Sequence, residues 1–173
     1  MIHLIYIFLL LFISIFIELL FGSFSVIVPS VALLVYYLTM IYNLKAGIIL
    51  AIISGFILDA LYGRSLLISP VSFSVISIFS VFWLHKGVVS SIHLQMLPGS
   101  VISFIYTFPM LAINYFLYES GFILFFINIL VLLITVILGA ILLPIMILIL
   151  DFINIKLKIN LYIDSKKRLN ESI

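Results

Sequence analysis

The 173-residue chain has no cysteine, which excludes disulfides, thiolate metal sites and cysteine nucleophiles together. Charge is nearly as scarce. Asp, Glu, Lys and Arg make up 8% of the residues, too little to clothe a water-soluble surface. The net charge of +2 is too small to propose a nucleic-acid partner, and the basic excess lies almost wholly near the C-terminus. Catalytic signatures are missing as well: no HExxH, no GxSxG, no glycine-rich phosphate loop and no paired acids on one helix face. The expectation is a non-enzyme with no cofactor and no metal. His3, His85 and His93 are scattered, and the last two lack both i,i+4 spacing and neighbouring carboxylates.

What the chain has instead is apolar surface. Hydrophobic residues make up 66% of it and the mean hydropathy is +1.52, so lipid has to act as solvent for most side chains. Apolar runs of spanning length fall at about 2–20, 26–43, 46–62, 66–84, 98–118 and 122–150, against the ~20 residues that cross a ~30 Å core. Short breaks separate them, at Gly22-Ser23 with Pro29, Asn43-Leu44-Lys45, Gly63-Arg64-Ser65, His85 through Gly99, and Glu119-Ser120-Gly121. The first run has no basic lead-in and no small-x-small cleavage site, so it is expected to stay as a span and not to act as a signal peptide. Only helices or a closed barrel satisfy the backbone in lipid, and these runs lack a barrel strand's alternation. The fold class expected is all-α, a polytopic membrane protein of six transmembrane helices. Residues 1–150 form the membrane domain and 151–173 a basic cytoplasmic tail.

Six spans put both termini on one side. Lys45, Lys86, Lys156, Lys158, Lys166, Lys167 and Arg168 then share that side, leaving Arg64 alone on the other. By the positive-inside rule both termini face the cytoplasm. Glu18, Asp59, Arg64 and Glu119 lie toward the outside. The last run is too long for a straight crossing, and Gly139 and Pro144 are expected to kink it. Beyond Asp151 the tail alternates strictly: Ile153, Ile155, Leu157, Ile159, Leu161 and Ile163 are separated by Asn154, Lys156, Lys158, Asn160 and Tyr162. That is a strand period, to be satisfied by another chain's edge, unless the segment lies as a helix on the basic membrane surface.

The third span holds the most information. Gly47, Ala51, Gly55, Asp59 and Gly63 recur at every fourth position, a ridge of small residues on nearly one helix face that admits a neighbouring backbone. The neighbour is either another helix of the same bundle or a partner protein. Asp59 stands on this ridge, where a carboxylate at membrane depth has to be paired, hydrogen-bonded or wetted. Arg64 lies five residues on, and Glu18 ends the first span at similar depth. A structural Asp59–Arg64 or Glu18–Arg64 ion pair competes with a transport or proton-relay role. Ser65, Ser69, Ser72 and Ser80 share one arc of the fourth span, as backbone-bonding hydroxyls or as a ligand face, and Asn114 and Asn128 admit the same two readings.

Pro29 before an apolar span, followed by Gly55-Phe56-Ile57-Leu58-Asp59-Ala60-Leu61-Tyr62-Gly63-Arg64-Ser65-Leu66, resembles the rod shape-determining protein MreD family. The G-x-x-x-D-x-x-x-G core carries the likeness. Length, six spans, Pro144 in the last span and a short basic tail agree with it along the rest of the chain. Where the family often has a second glycine shortly after the first, this chain has Leu67 or Ile68. The resemblance implies a non-enzymatic scaffold of the bacterial cell-elongation machinery in the inner (cytoplasmic) membrane. It implies an MreC-like single-span partner and, through that partner, MreB and the RodA–penicillin-binding-protein synthase. Gly55, Asp59 and Gly63 would be the pattern residues. It also implies a fold similar to the substrate-binding subunits of energy-coupling-factor vitamin transporters, which supply the alternative function. Such a subunit is expected to carry small residues at every fourth position of the first span, where this chain has Ser14 alone amid Leu, Ile and Phe.

Overall fold

The computed structural model describes residues 2–24, 26–64, 66–85, 93–117, 122–157, 159 and 162. Six α-helices run through them: α1 (Ile2–Ser23), α2 (Ser30–Ile41), α3 (Leu44–Leu61), α4 (Ile68–His85), α5 (Met96–Leu117) and α6 (Phe122–Leu157), with a 3₁₀ turn at His93–Gln95 before α5. The chain is an all-helical, polytopic membrane protein, and five of the six helices are long and apolar enough to cross a bilayer. Their outward faces are rows of exposed Ile, Leu and Phe, the surface that lipid solvates and water does not.

The exception is α2. A helix was expected across 26–43, but residues 26–29 are non-helical and α2 has only 12 residues, or ~18 Å at 1.5 Å per residue. Pro29 stands at its N-cap, and Tyr42 and Asn43 end it. Every residue from Val31 to Ile41 is buried. A helix that is apolar all round belongs inside a bundle, and α2 is the post around which α1, α3, α4, α5 and α6 stand.

Small residues set the closest crossings. A Cβ on Gly55 would run into the backbone of Pro70 in α4, and one on Gly47 into the side chain of Thr39 in α2. Gly99 and Gly139 face each other across α5 and α6, where either Cβ would strike the other's carbonyl oxygen. Packing is most extensive across α3–α4 and α5–α6, as expected where close backbone approach replaces a hydrophobic drive.

α6 runs as one continuous helix through Gly139 and Pro144, and Gly139 serves close packing on Ser103 and Gly99. It also continues past Asp151 to Leu157, 36 residues in all, so Ile153, Ile155 and Leu157 are helical and not strand residues. The reason lies in Asp151 and Asn154. Three apart, they share a helix face and are both buried in the bundle, which holds the helix where alternation alone would suggest a strand. The helix therefore runs seven residues past 150, to Leu157. Ile159 donates its N–H back to the Asn154 carbonyl (3.0 Å), and Tyr162 is buried.

A carboxylate-centred site at one end of the bundle

The C-terminal ends of α1 and α3 meet the N-terminal ends of α2 and α4, so two helix N-termini with free N–H groups share one end of the molecule. Each receives a carboxylate from the preceding helix. Glu18, 2% exposed, accepts from the Val31 N–H (3.0 Å) at the start of α2 and from the Tyr106 hydroxyl. The Ser30 hydroxyl lies 3.3 Å from it while donating to the Ser14 carbonyl (2.8 Å). Asp59, fully buried, accepts from the Ser69 N–H (3.0 Å) and the Ser69 hydroxyl (2.6 Å) at the start of α4. A negative charge at a helix N-terminus is stabilised by the unsatisfied N–H groups and the helix dipole.

Arg64 reaches Asp59 because α3 ends in a Schellman turn. The Arg64 N–H donates to the Asp59 carbonyl (2.9 Å) and the Gly63 N–H to the Ala60 carbonyl (3.2 Å), with Gly63 at φ +64°. That left-handed position is what glycine supplies there. A Cβ on Gly63 would meet nothing within 4 Å, so this glycine turns the chain and does not belong to the packing ridge. The turn folds the guanidinium back over its own helix, where Nη1 lies 3.1 Å from Asp59 Oδ1 and donates to Ser69 Oγ (3.1 Å). The guanidinium also lies 4.5 Å from the centre of the Tyr62 ring, a cation–π contact. Tyr62 in turn donates to the Glu18 backbone carbonyl (3.2 Å).

The residues singled out in the sequence therefore divide. Gly47, Ala51, Gly55 and Asp59 are buried, and Gly47 and Gly55 meet α2 and α4 of the same chain. Of the two ion pairs considered, Asp59–Arg64 forms, while Glu18 is held by Tyr106 and the N-terminus of α2. The serine arc is mostly spent within the protein: Ser69 binds Asp59, and Ser80 bonds the Ser77 carbonyl of its own helix. Ser65 and the side chains of His3 and Asn114 lie outside the described residues, and Asn128 lines an apolar hollow of about 280 Å³ between α5 and α6. Among the described residues no three His, Asp or Glu side chains gather as a metal site would require.

Three side chains at this end were not singled out: Ser30, Tyr62 and Tyr106. Their signal was available, since a tyrosine placed at membrane depth needs a hydrogen-bond partner. With Glu18, Gly22, Val26, Ile27, Arg64 and Met110, the two tyrosines line a cavity of about 190 Å³.

A second polar cluster, also missed, lies nearer the opposite end. The Tyr6 hydroxyl donates to Asn154 Oδ1 (2.7 Å), Asn154 Nδ2 to the Tyr37 hydroxyl (2.9 Å), and Tyr37 to Asp151 Oδ1 (2.7 Å). The Tyr162 N–H donates to the same Asp151 oxygen (3.0 Å), and its hydroxyl to Gln95 Oε1 (2.5 Å). Its ring stacks on Tyr37 with centroids 6.1 Å apart. Burial pushes the Tyr162 phenol above its ordinary value. Tyr162 is thus clasped to α2, to α6 and to the turn before α5.

Comparison with protein-family models, with curated proteins and with solved structures finds no match to this chain.

Proposed function

We propose that the chain is a non-enzymatic membrane scaffold of the bacterial cell-elongation machinery, of the MreD type. The observation that carries this reading is the Gly55-x-x-x-Asp59-x-x-x-Gly63-Arg64 unit, whose members have separate and complementary mechanical roles. Gly55 lets α4 approach, Asp59 caps α4, Gly63 makes the turn, and Arg64 closes the pair. Such a unit makes a stiff brace between α3 and α4, which suits a protein whose task is to hold partners in register. In this reading both termini are cytoplasmic, as the basic residues favour, and the Glu18–Asp59 end faces the cell exterior. Because the ridge is occupied by α2 and α4, an MreC-like single-span partner meets lipid-facing helix surfaces and not the ridge. MreB and the RodA–penicillin-binding-protein synthase are reached through that partner.

The test is replacement in a rod-shaped bacterium depleted of its own MreD-type protein. Restored rods, and co-purification with the MreC-like protein, are the expected results. Cells that stay round although the chain is inserted and folded overturn the reading.

A second reading, the substrate-binding subunit of an energy-coupling-factor vitamin transporter, is favoured by one observation. The cavity lined by Glu18, Tyr62, Arg64 and Tyr106 is the kind of polar and aromatic cluster such a subunit needs. Co-purification with a transporter ATPase in place of an MreC-like protein would select it.

A further inference from the structure

We propose that the cavity between α1, the α3–α4 turn and α5 binds a small zwitterionic group that joins an oxyanion to a primary ammonium. Free phosphoethanolamine and the head group of phosphatidylethanolamine share this chemistry. The inference is independent of the scaffold reading.

Size is the first consideration. The cavity holds about 190 Å³, room for roughly six waters at ~30 Å³ each, which suits a head group and excludes a large ligand. Among the described residues, its two charged walls are both under-used. A guanidinium has five N–H donors, and Arg64 places them on Asp59, on Ser69 and on the Met110 sulfur, 3.1 Å from Nη2. A thioether is a weak acceptor, so an incoming oxyanion displaces it with a gain. A carboxylate offers about four lone-pair sites. Glu18 uses three at most, toward Tyr106, Val31 and Ser30, leaving capacity for an ammonium.

Charge balance then selects the ligand. Among the described residues, the charged groups around the cavity, Glu18, Asp59 and Arg64, sum to a formal −1. A bare anion would bring a second negative charge beside Glu18, and a bare cation would face Arg64 without a partner for it. The phosphodiester head group adds no net charge, free phosphoethanolamine sets its ammonium beside a phosphate of about −1.5 to −2, and either one gives each wall its complement. Val26, Ile27 and Met110 supply apolar contact for the carbons between the two ends, and the Tyr62 ring holds the guanidinium in place from beneath.

The experiment reconstitutes the full chain in phosphatidylcholine nanodiscs carrying phosphatidylethanolamine and phosphatidylglycerol in equal proportion, followed by native mass spectrometry after release into detergent. Phosphoethanolamine, ethanolamine and inorganic phosphate are tested separately as thermal stabilisers of lipid-stripped protein. The expected result is a preference for the zwitterion over either half and over phosphatidylglycerol of about tenfold. Retained phosphatidylethanolamine that free phosphoethanolamine does not displace assigns the lipid, whereas stabilisation by phosphoethanolamine without lipid retention assigns the soluble compound. Val26→Phe fills the cavity from its rim with every charge kept and should abolish the preference. If that variant does not fold, Ile27→Phe from the same wall gives the same reading. Equal retention of phosphatidylglycerol, equal stabilisation by phosphate or ethanolamine alone, no binding of either zwitterion, or a preference unchanged in the folded filled variant each overturns the proposal.

Discussion

Replacing Asp59 by alanine tests whether the α3–α4 brace is held by its charge pair. The carboxylate is fully buried and takes three hydrogen bonds, two from Ser69 and one from Arg64. Its removal leaves a guanidinium that is 14% exposed without its partner, and the Ser69 N–H in the first turn of α4 without its acceptor. Breaking a buried pair from one side costs about 3–5 kcal/mol. The slight exposure of Arg64 and its contact with Tyr62 argue for the lower end, so about 3 kcal/mol is expected. At ~2–4 °C per kcal/mol for a chain of this size, the melting temperature in detergent falls by about 6–12 °C, followed through helical circular dichroism. The double variant Asp59→Ala with Arg64→Met removes both charges and leaves only the lost cap, worth about 1 kcal/mol. It should recover most of the loss. A double variant as unstable as the single one would refute the reasoning, because the cost would then not come from the stranded charge.

Gly63→Ala forces a Cβ into the left-handed region at φ +64° while meeting no neighbour. It should cost about 1–2 kcal/mol, and Gly63→Asn less, read by the same melts. Gly55→Ala drives a Cβ against the Pro70 backbone, 2.6 Å from its Cα, and overpacking of this kind costs about 1–3 kcal/mol. Tyr162→Ala removes the stacking on Tyr37 and the bonds its hydroxyl makes to Tyr36 and Gln95. Limited proteolysis should then cut the C-terminal segment markedly faster, with the bundle left intact. The clasp should also be pH-dependent. A phenol whose folded value is raised above the ordinary 10.0 contributes stability that is complete below pH 10.0 and is lost as pH rises toward the folded value. Protease sensitivity of the tail should therefore increase above about pH 10, and a flat profile would contradict the burial of Tyr162.

The spans were legible because lipid imposes one demand on every backbone group and one on every outward side chain. Hydropathy reports both, and six helices follow. The Asp59–Arg64 pair was legible for a related reason: two charges five residues apart, around a glycine, within an apolar stretch have few other partners. The ridge was legible as packing but not in its parts. Gly55 and Gly63 look alike at four-residue spacing, yet one is small for the sake of a neighbour and the other is flexible for the sake of a turn. Composition does not separate these uses. The tyrosine network escaped because its members are dispersed from Tyr6 to Tyr162 and only folding joins them, at sequence separations of up to 148 residues. The choice between strand and helix left open after Asp151 has the same origin. Two-residue alternation is a local signal, and the burial of Asp151 and Asn154 that overrides it is a long-range one.

The short α2 accounts for the position of both carboxylates. At ~18 Å it falls about 12 Å short of a ~30 Å hydrocarbon core, and yet it is the most enclosed helix of the bundle. One of its ends must therefore lie at apolar depth, with N–H groups that no water reaches. Pro29 lacks an N–H, which removes one such donor. The Ser30 N–H is taken by the Val28 carbonyl (2.8 Å). Of the Val31 and Ala32 N–H groups that remain in the first turn, Glu18 accepts that of Val31. A charged residue in the first span is thus required by the shortness of the second. The start of α4 raises the same requirement at Ser69, and Asp59 meets it. Two acids and one arginine make this end polar, as the Tyr6–Asn154–Tyr37–Asp151 cluster does nearer the other. The cavity at the Glu18 end is a consequence of how the short helix is capped, and its charged walls persist in any variant that keeps Glu18, Asp59 and Arg64 together, even where a bulkier side chain fills the space between them.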